Sequence, residues 1–122
     1  MSALQASRRR GSSLPDDCLF CQLVASGEHV AATDGFVAIR DINPQADTHL
    51  LVIPQKHVDS FHQIALFTAD ESKRMLEFVD EVASSQGLDD YRLVVNVGPG
   101  AGQTVFHLHW HILGGANIGR MA

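Results

Sequence analysis

The stretch Val105-Phe106-His107-Leu108-His109-Trp110-His111-Ile112-Leu113-Gly114-Gly115 alternates with a period of two. That period belongs to an extended strand, whose successive side chains leave on opposite faces. The spacing sets His107, His109 and His111 on one face and Leu108, Trp110 and Ile112 on the other, toward a core. The outer face of a purely structural strand is normally dressed with Thr, Lys, Glu or Ser. Three imidazoles in a row are instead three groups able to act as nucleophile, proton carrier or metal ligand near neutral pH.

The rest of the chain reads as one domain. Its 122 residues suffice for a single hydrophobic core. Residues 1–16 carry Arg8, Arg9 and Arg10, several serines and few acids, and read as a disordered tail rather than a transit peptide. Residues 17–122 form the expected domain. Asp16 or Asp17 is placed to cap a short helix from Cys18 to about Ala25, ended by Gly27. Val30–Thr33 and Phe36–Arg40 flank the Asp34-Gly35 turn as a hairpin. A loop with Pro44 leads to a buried strand, His49–Ile53, stopped by Pro54. Thr68-Ala69-Asp70-Glu71 is a capping box. The helix that it opens runs to Gly87 and buries Met75, Leu76, Val79, Val82 and Ala83. Arg92–Val97 is the next strand, broken by Gly98-Pro99-Gly100-Ala101-Gly102 before the histidine run. The pattern predicts an α+β fold: a mainly antiparallel sheet of about five strands with one long and one short helix.

Composition narrows the partners. A net charge of −5 argues against a general nucleic-acid binder. No apolar stretch approaches the ~20 residues that cross a bilayer. The longest, Leu50–Ile53, is the size of a strand. Two cysteines, Cys18 and Cys21, form one C-x-x-C pair, which is no secreted disulfide framework. The expected location is the cytoplasm, with neither membrane nor nucleic acid as partner.

Glycines let backbone N–H groups approach a phosphate closely, and Gln103 and Thr104 add donors just before the histidines. A neutral histidine can attack a phosphoryl centre and form a covalent phosphoramidate that water later cleaves. His109, flanked on both sides by a like ring, is the best placed to attack. His49 begins another strand and completes the cluster.

His107-Leu108-His109-Trp110-His111-Ile112-Leu113 resembles the signature of the histidine-triad (HIT) superfamily, H-φ-H-φ-H-φ-φ. Cys18-Leu19-Phe20-Cys21, Asp41-Ile42-Asn43-Pro44-Gln45-Ala46, Thr48 through His57 and Gly102-Gln103-Thr104-Val105-Phe106-His107 resemble further family motifs in the same order. The Leu-Gly-Gly after the triad is most similar to the Hint branch, the purine nucleoside phosphoramidases. The resemblance implies a HIT-like fold and a nucleotide hydrolase acting on purine nucleoside phosphoramidates or related mononucleotide derivatives. It implies His109 as nucleophile, His111 on the α-phosphate or leaving-group side, and His49 as a supporting histidine. Asn96, Gln103 and Thr104 would contact phosphate, and Asp41 the ribose hydroxyls. Leu19, Phe20, Leu23, Ile39 and Ile42 would form the purine slot, with simple core as the plain alternative for these five.

Departures from the pattern are Thr104 and Asn43, each where serine is common, Ile39 for an aromatic beside the base, Trp110 for an aliphatic residue, and Ala116 to Ala122 in place of a longer aromatic and proline tail. Zinc-containing relatives imply that Cys18, Cys21, His57 and His107 hold a structural zinc ion, with a reduced or redox dithiol as the alternative. His62 and His29 are expected on the surface. A homodimer is implied as well, through the long helix and a sheet edge. Two rival functions stay open: a nucleotide-binding regulatory protein with incidental hydrolysis, and a nucleotidyltransferase. Negligible turnover despite tight binding would mark the first, and dependence on an acceptor the second.

Overall fold

The computed structural model describes residues 18–118. The expected tail and the Asp16 or Asp17 cap lie outside them. Helix α1 (Leu19–Ser26) is capped instead by Cys18, whose Sγ accepts the Cys21 N–H at 3.2 Å. It stops at Gly27, whose N–H returns to the Leu23 carbonyl. Strands β1 (Ala31–Thr33) and β2 (Phe36–Arg40) form the expected hairpin around Asp34-Gly35, with Thr33 opposite Phe36. Strand β3 (Thr48–Pro54), helix α2 (Ala69–Ser85), β4 (Tyr91–Val94) and β5 (Trp110–Gly114) follow. The five strands form one sheet, ordered β1-β2-β3-β5-β4, and every neighbouring pair is antiparallel. This is the α+β, HIT-like architecture expected. Short 3₁₀ segments at Phe61–Leu66 and Pro99–Ala101 were not legible in the sequence.

The sheet is covered on both faces, which explains why β2 and β3 read as continuous apolar runs. On one face α2 packs Met75, Phe78, Val79, Val82 and Ala83 against Phe36, Ala38, Leu50, Val52, Leu108 and Ile112. Each large side chain buried here contributes about 1.5–3 kcal/mol. On the other face Val37, Ile39, Leu51 and Ile53 meet Cys18 and Phe20 at the start of α1. The capping box of α2 forms as expected, with Thr68 Oγ1 accepting from Glu71 N and Glu71 Oε1 from Thr68 N.

Leu76 corrects the expected core: it is 51% exposed, and Phe78 is buried in its place. Residues 75, 78, 79, 82 and 83 follow the i, i+3, i+4, i+7, i+8 stripe, and position 76 turns about 100° away from it. The β4 ladder ends at Val94 rather than Val97. The β5 ladder begins at Trp110, so His107 and His109 lie on the segment leading into it. The alternation survives there, because Leu108 donates its N–H to Val58 and sinks into the α2-side core. No helix among the described residues is long and apolar enough to cross a membrane.

Candidate functional site

A cavity of about 410 Å³ opens on the α1 side of the sheet. It gathers His49, His109, His111, Asp41, Asn96, Thr104, Leu19, Phe20, Leu23, Ile39 and Ile42, all singled out in the sequence. β3 supplies His49, β5 supplies His111, and the loop after β2 supplies Asp41. Arg40, Asn43, Gln45, Leu51, Gly102 and Val105 also line it; all but Arg40 fall in the family-like motifs, but the sequence assigned none of them a role.

Hydrogen bonds settle the tautomer of each ring. The Gln45 N–H donates to His49 Nδ1 at 2.9 Å, so His49 carries its proton on Nε2. That Nε2–H donates to His111 Nδ1 at 2.9 Å, with Asp41 Oδ2 at 3.4 Å beside it. His111 is thereby protonated on Nε2, a buried N–H with no hydrogen-bond partner among the described residues. His109 donates Nδ1–H to the His107 carbonyl at 2.8 Å. Its Nε2 therefore keeps a lone pair, and no partner for it occurs among the described residues. Phe20 stands edge-on to the His109 ring, with centroids 4.8 Å apart.

Electrostatics hold these rings neutral. Burial pushes the His109 pKa below the ordinary histidine value. Burial and the neighbouring rings of His109 and His49 bring His111 down to about 3. His49 is also lowered by burial, against the pull of Asp41. A neutral ring at pH 7 is the nucleophilic form.

Gln103 sits differently from the expected phosphate contact. It is 3% exposed and does not line the cavity. Its Oε1 accepts from Gly98 N at 2.8 Å, and its Nε2 donates to the carbonyls of Asp59 and Val105 at 2.6 and 3.0 Å. It braces the glycine loop, whose Gly98 and Gly102 both have positive φ that disfavours other residues. Thr104 and Asn96 remain at the mouth with side-chain donors unengaged by any bond among the described residues.

Behind the triad, Cys18, Cys21, His57 and His107 converge, with one ligand atom from each within 4.8 Å of the others. His107 Nδ1 lies 3.3 Å from Cys18 Sγ and 3.4 Å from Cys21 Sγ, and His57 Nδ1 lies 3.1 Å from Cys21 Sγ. Two sulfurs and two imidazoles could hold a metal ion here, because tetrahedral Cys₂His₂ is a common zinc donor set. Both rings turn the right atom inward. His107 donates Nε2–H to the Pro54 carbonyl at 2.8 Å, and His57 Nε2 pairs with Asp59 at 3.1 Å. Outer partners of this kind orient metal-binding histidines. Burial raises both thiols and is the largest single influence on Cys18, but hydrogen bonding to His107, to His57 and to the Cys21 N–H, with the charge of His107, together outweigh it and hold the pKa at about 5. Cys21, burdened also by neighbouring Cys18, is pushed up to about 12. Asp59 and the Pro54 carbonyl escaped notice in the sequence. His29 and His62 are exposed, as expected.

The antiparallel sheet, the buried trio of neutral imidazoles and the apolar slot beside them together define a HIT domain. A HIT domain matches residues 22–118, and the chain belongs to this family. Protein HitA of Neisseria gonorrhoeae is 40% identical over 103 residues, covering 81% of this chain and 96% of the relative. The purine nucleoside phosphoramidase of Escherichia coli is 37% identical over 90 residues, covering 72% of this chain and 76% of the relative. Among solved structures, a HIT family hydrolase from Legionella pneumophila is 40% identical with a TM-score of 0.71, covering 80% of this chain and 92% of that one.

Proposed function

We propose that this chain is a nucleotide hydrolase that cleaves purine nucleoside phosphoramidates or related mononucleotide derivatives. The observation that carries the reading is the His109 tautomer: Nδ1–H is tied to a main-chain carbonyl, leaving the Nε2 lone pair on a neutral ring in the cavity. The similarity to a purine nucleoside phosphoramidase supports it.

The base occupies the slot of Leu19, Phe20, Leu23, Ile39 and Ile42. Ile42 is fully exposed and Leu19 43% exposed, so a purine there removes apolar surface from water. Asp41 accepts the ribose hydroxyls; its Oδ1 already accepts the Asn43 N–H, which holds the carboxylate in place. Thr104 and Asn96 donate to the phosphate. His109 Nε2 then bonds to the α-phosphorus as the P–N bond to the amine breaks. The buried His111 Nε2–H finds in the phosphoryl group or the departing side the acceptor that the protein does not supply. Water attacks the same phosphorus, and His109 leaves with its lone pair restored. One water is consumed, its hydrogens going to the nucleotide and the amine.

Cys18, Cys21, His57 and His107 would hold a structural zinc ion. When bound it supplies a cross-link between α1 and the triad segment, with no part in the chemistry. The working unit is a homodimer, built across α2, where Leu76 is exposed, and the open edge of β4, where Leu93 is exposed.

Rapid quenching of the protein with an adenosine phosphoramidate, followed by mass spectrometry, tests the reading. A nucleotidyl adduct on His109 is the expected result. Turnover without any adduct, or turnover that survives His109→Ala, overturns it.

A further inference from the structure

The two cysteines are tied to the cavity by two short paths. Cys18 caps α1, whose next residues Leu19 and Phe20 wall the slot, and Phe20 leans on His109. His107 faces both sulfurs through Nδ1 and receives the His109 Nδ1–H at its carbonyl. The two cysteines span one turn at a helix N-terminus, a spacing that can close to a disulfide. Both sulfurs belong to a cluster less than 4.8 Å across, and the chain has no third cysteine to compete. Cys21 is only half-buried, which gives an oxidant a way in.

We propose that Cys18 and Cys21 form a reversible disulfide that excludes the metal and weakens nucleotide binding. The inference rests on the reading of the cavity as a nucleotide site. The oxidant is a hydroperoxide. One thiolate attacks a peroxide oxygen; the O–O bond breaks, leaving a sulfenic acid and one hydroxide or alkoxide. The second thiolate attacks the sulfenic sulfur; the S–S bond forms and hydroxide departs. Two electrons pass from the sulfurs to the peroxide, and two protons from solvent complete two water molecules when the oxidant is hydrogen peroxide. A disulfide sulfur carries no charge to hold a cation, so the metal leaves as its hydrated ion. Closing the bond also turns the Cys18 Sγ that caps α1 into a neutral, weakly accepting disulfide sulfur and removes the thiolate charge facing His107 Nδ1. The anchor of Leu19 and Phe20 weakens, and the slot wall loosens.

The test treats zinc-loaded protein with hydrogen peroxide and follows three readouts. A chromophoric chelator counts released zinc, peptide mass spectrometry reports the Cys18–Cys21 link, and calorimetry gives the affinity for AMP. One zinc freed per disulfide formed is expected, with AMP affinity falling about tenfold. Dithiothreitol with added zinc restores both. In Cys21→Ser no bridge forms, and peroxide leaves AMP affinity unchanged. Sulfinic acids without a bridge overturn the proposal, as does a bridge that leaves zinc and AMP in place. Protein that binds no AMP before oxidation overturns the functional reading itself; protein that takes up no zinc, or normal binding that merely ignores peroxide, overturns the disulfide proposal alone.

Discussion

His107 holds His109 from behind: its main-chain carbonyl accepts the His109 Nδ1–H at 2.8 Å, while its own ring points to the two cysteines. One residue therefore serves the metal cluster with its side chain and the candidate nucleophile with its backbone. The consequences can be measured.

Replacing His109 by Ala removes the proposed attacking nitrogen and, of the packing, only ring-edge contacts at the cavity wall, that with Phe20 among them. Turnover of an adenosine phosphoramidate is expected to fall at least about 10³-fold, beyond the loss of a single acid–base group. The thermal midpoint should stay near that of the parent, as read by differential scanning fluorimetry.

His49→Asn tests the ring behind His111. The variant removes the N–H that fixes the His111 tautomer. The expected cost is about 10²-fold or more in kcat with a smaller change in KM, because bound nucleotide does not need that ring to stay in place.

The neutral histidines make stability depend on pH. His111 titrates near 3 in the native state and near its ordinary value when unfolded, and His109 is shifted the same way. Between those limits the unfolded chain binds more protons, so stability rises with pH and is lost as pH falls below about 6.5. Each buried ring contributes up to about tenfold per pH unit in the unfolding constant. Urea titrations at pH 7, 5.5 and 4.5 should show that slope, and His111→Asn should reduce it. The acid limb of kcat/KM should likewise lie below 6.5.

Asp59→Asn removes the carboxylate behind His57 without touching the four candidate ligands. Zinc affinity, measured by chelator competition, is expected to fall about 10–100-fold. Unchanged affinity would mean that Asp59 does not orient the ring.

Gln103→Ala separates a brace from a phosphate contact. The substitution leaves Gly98 N and the Asp59 and Val105 carbonyls short of a partner. Chemical denaturation should report a loss of about 1–3 kcal/mol. A variant with full stability but a raised KM would return Gln103 to the phosphate.

The period-two run made the histidine face legible, because strand geometry alone separates His107, His109 and His111 from Leu108, Trp110 and Ile112. Cys18, Cys21, His57 and His107 were joined only through family motifs; nothing local brings residue 21 to residue 107. The exchange of Leu76 for Phe78 shows where periodicity runs out. Either residue completes a stripe with Met75, Val79 and Val82, and only the position of the sheet decides between them. Gln103 carried a second ambiguity, since a buried amide that braces a loop and an exposed one that binds phosphate look alike in one dimension. Asp59 gave no sign at all, because its role depends on His57 turning toward it in the folded chain.

The Gln45 amide has a consequence of its own. The sense in which N–H groups point along His49 and His111 begins from a main-chain donor, not from a side chain. Mutational drift at position 45 therefore leaves that polarity intact for nineteen residue types. Proline alone deletes the donor, and it would leave that order to the weaker hold of the Asp41 carboxylate, 3.4 Å from His49 Nε2.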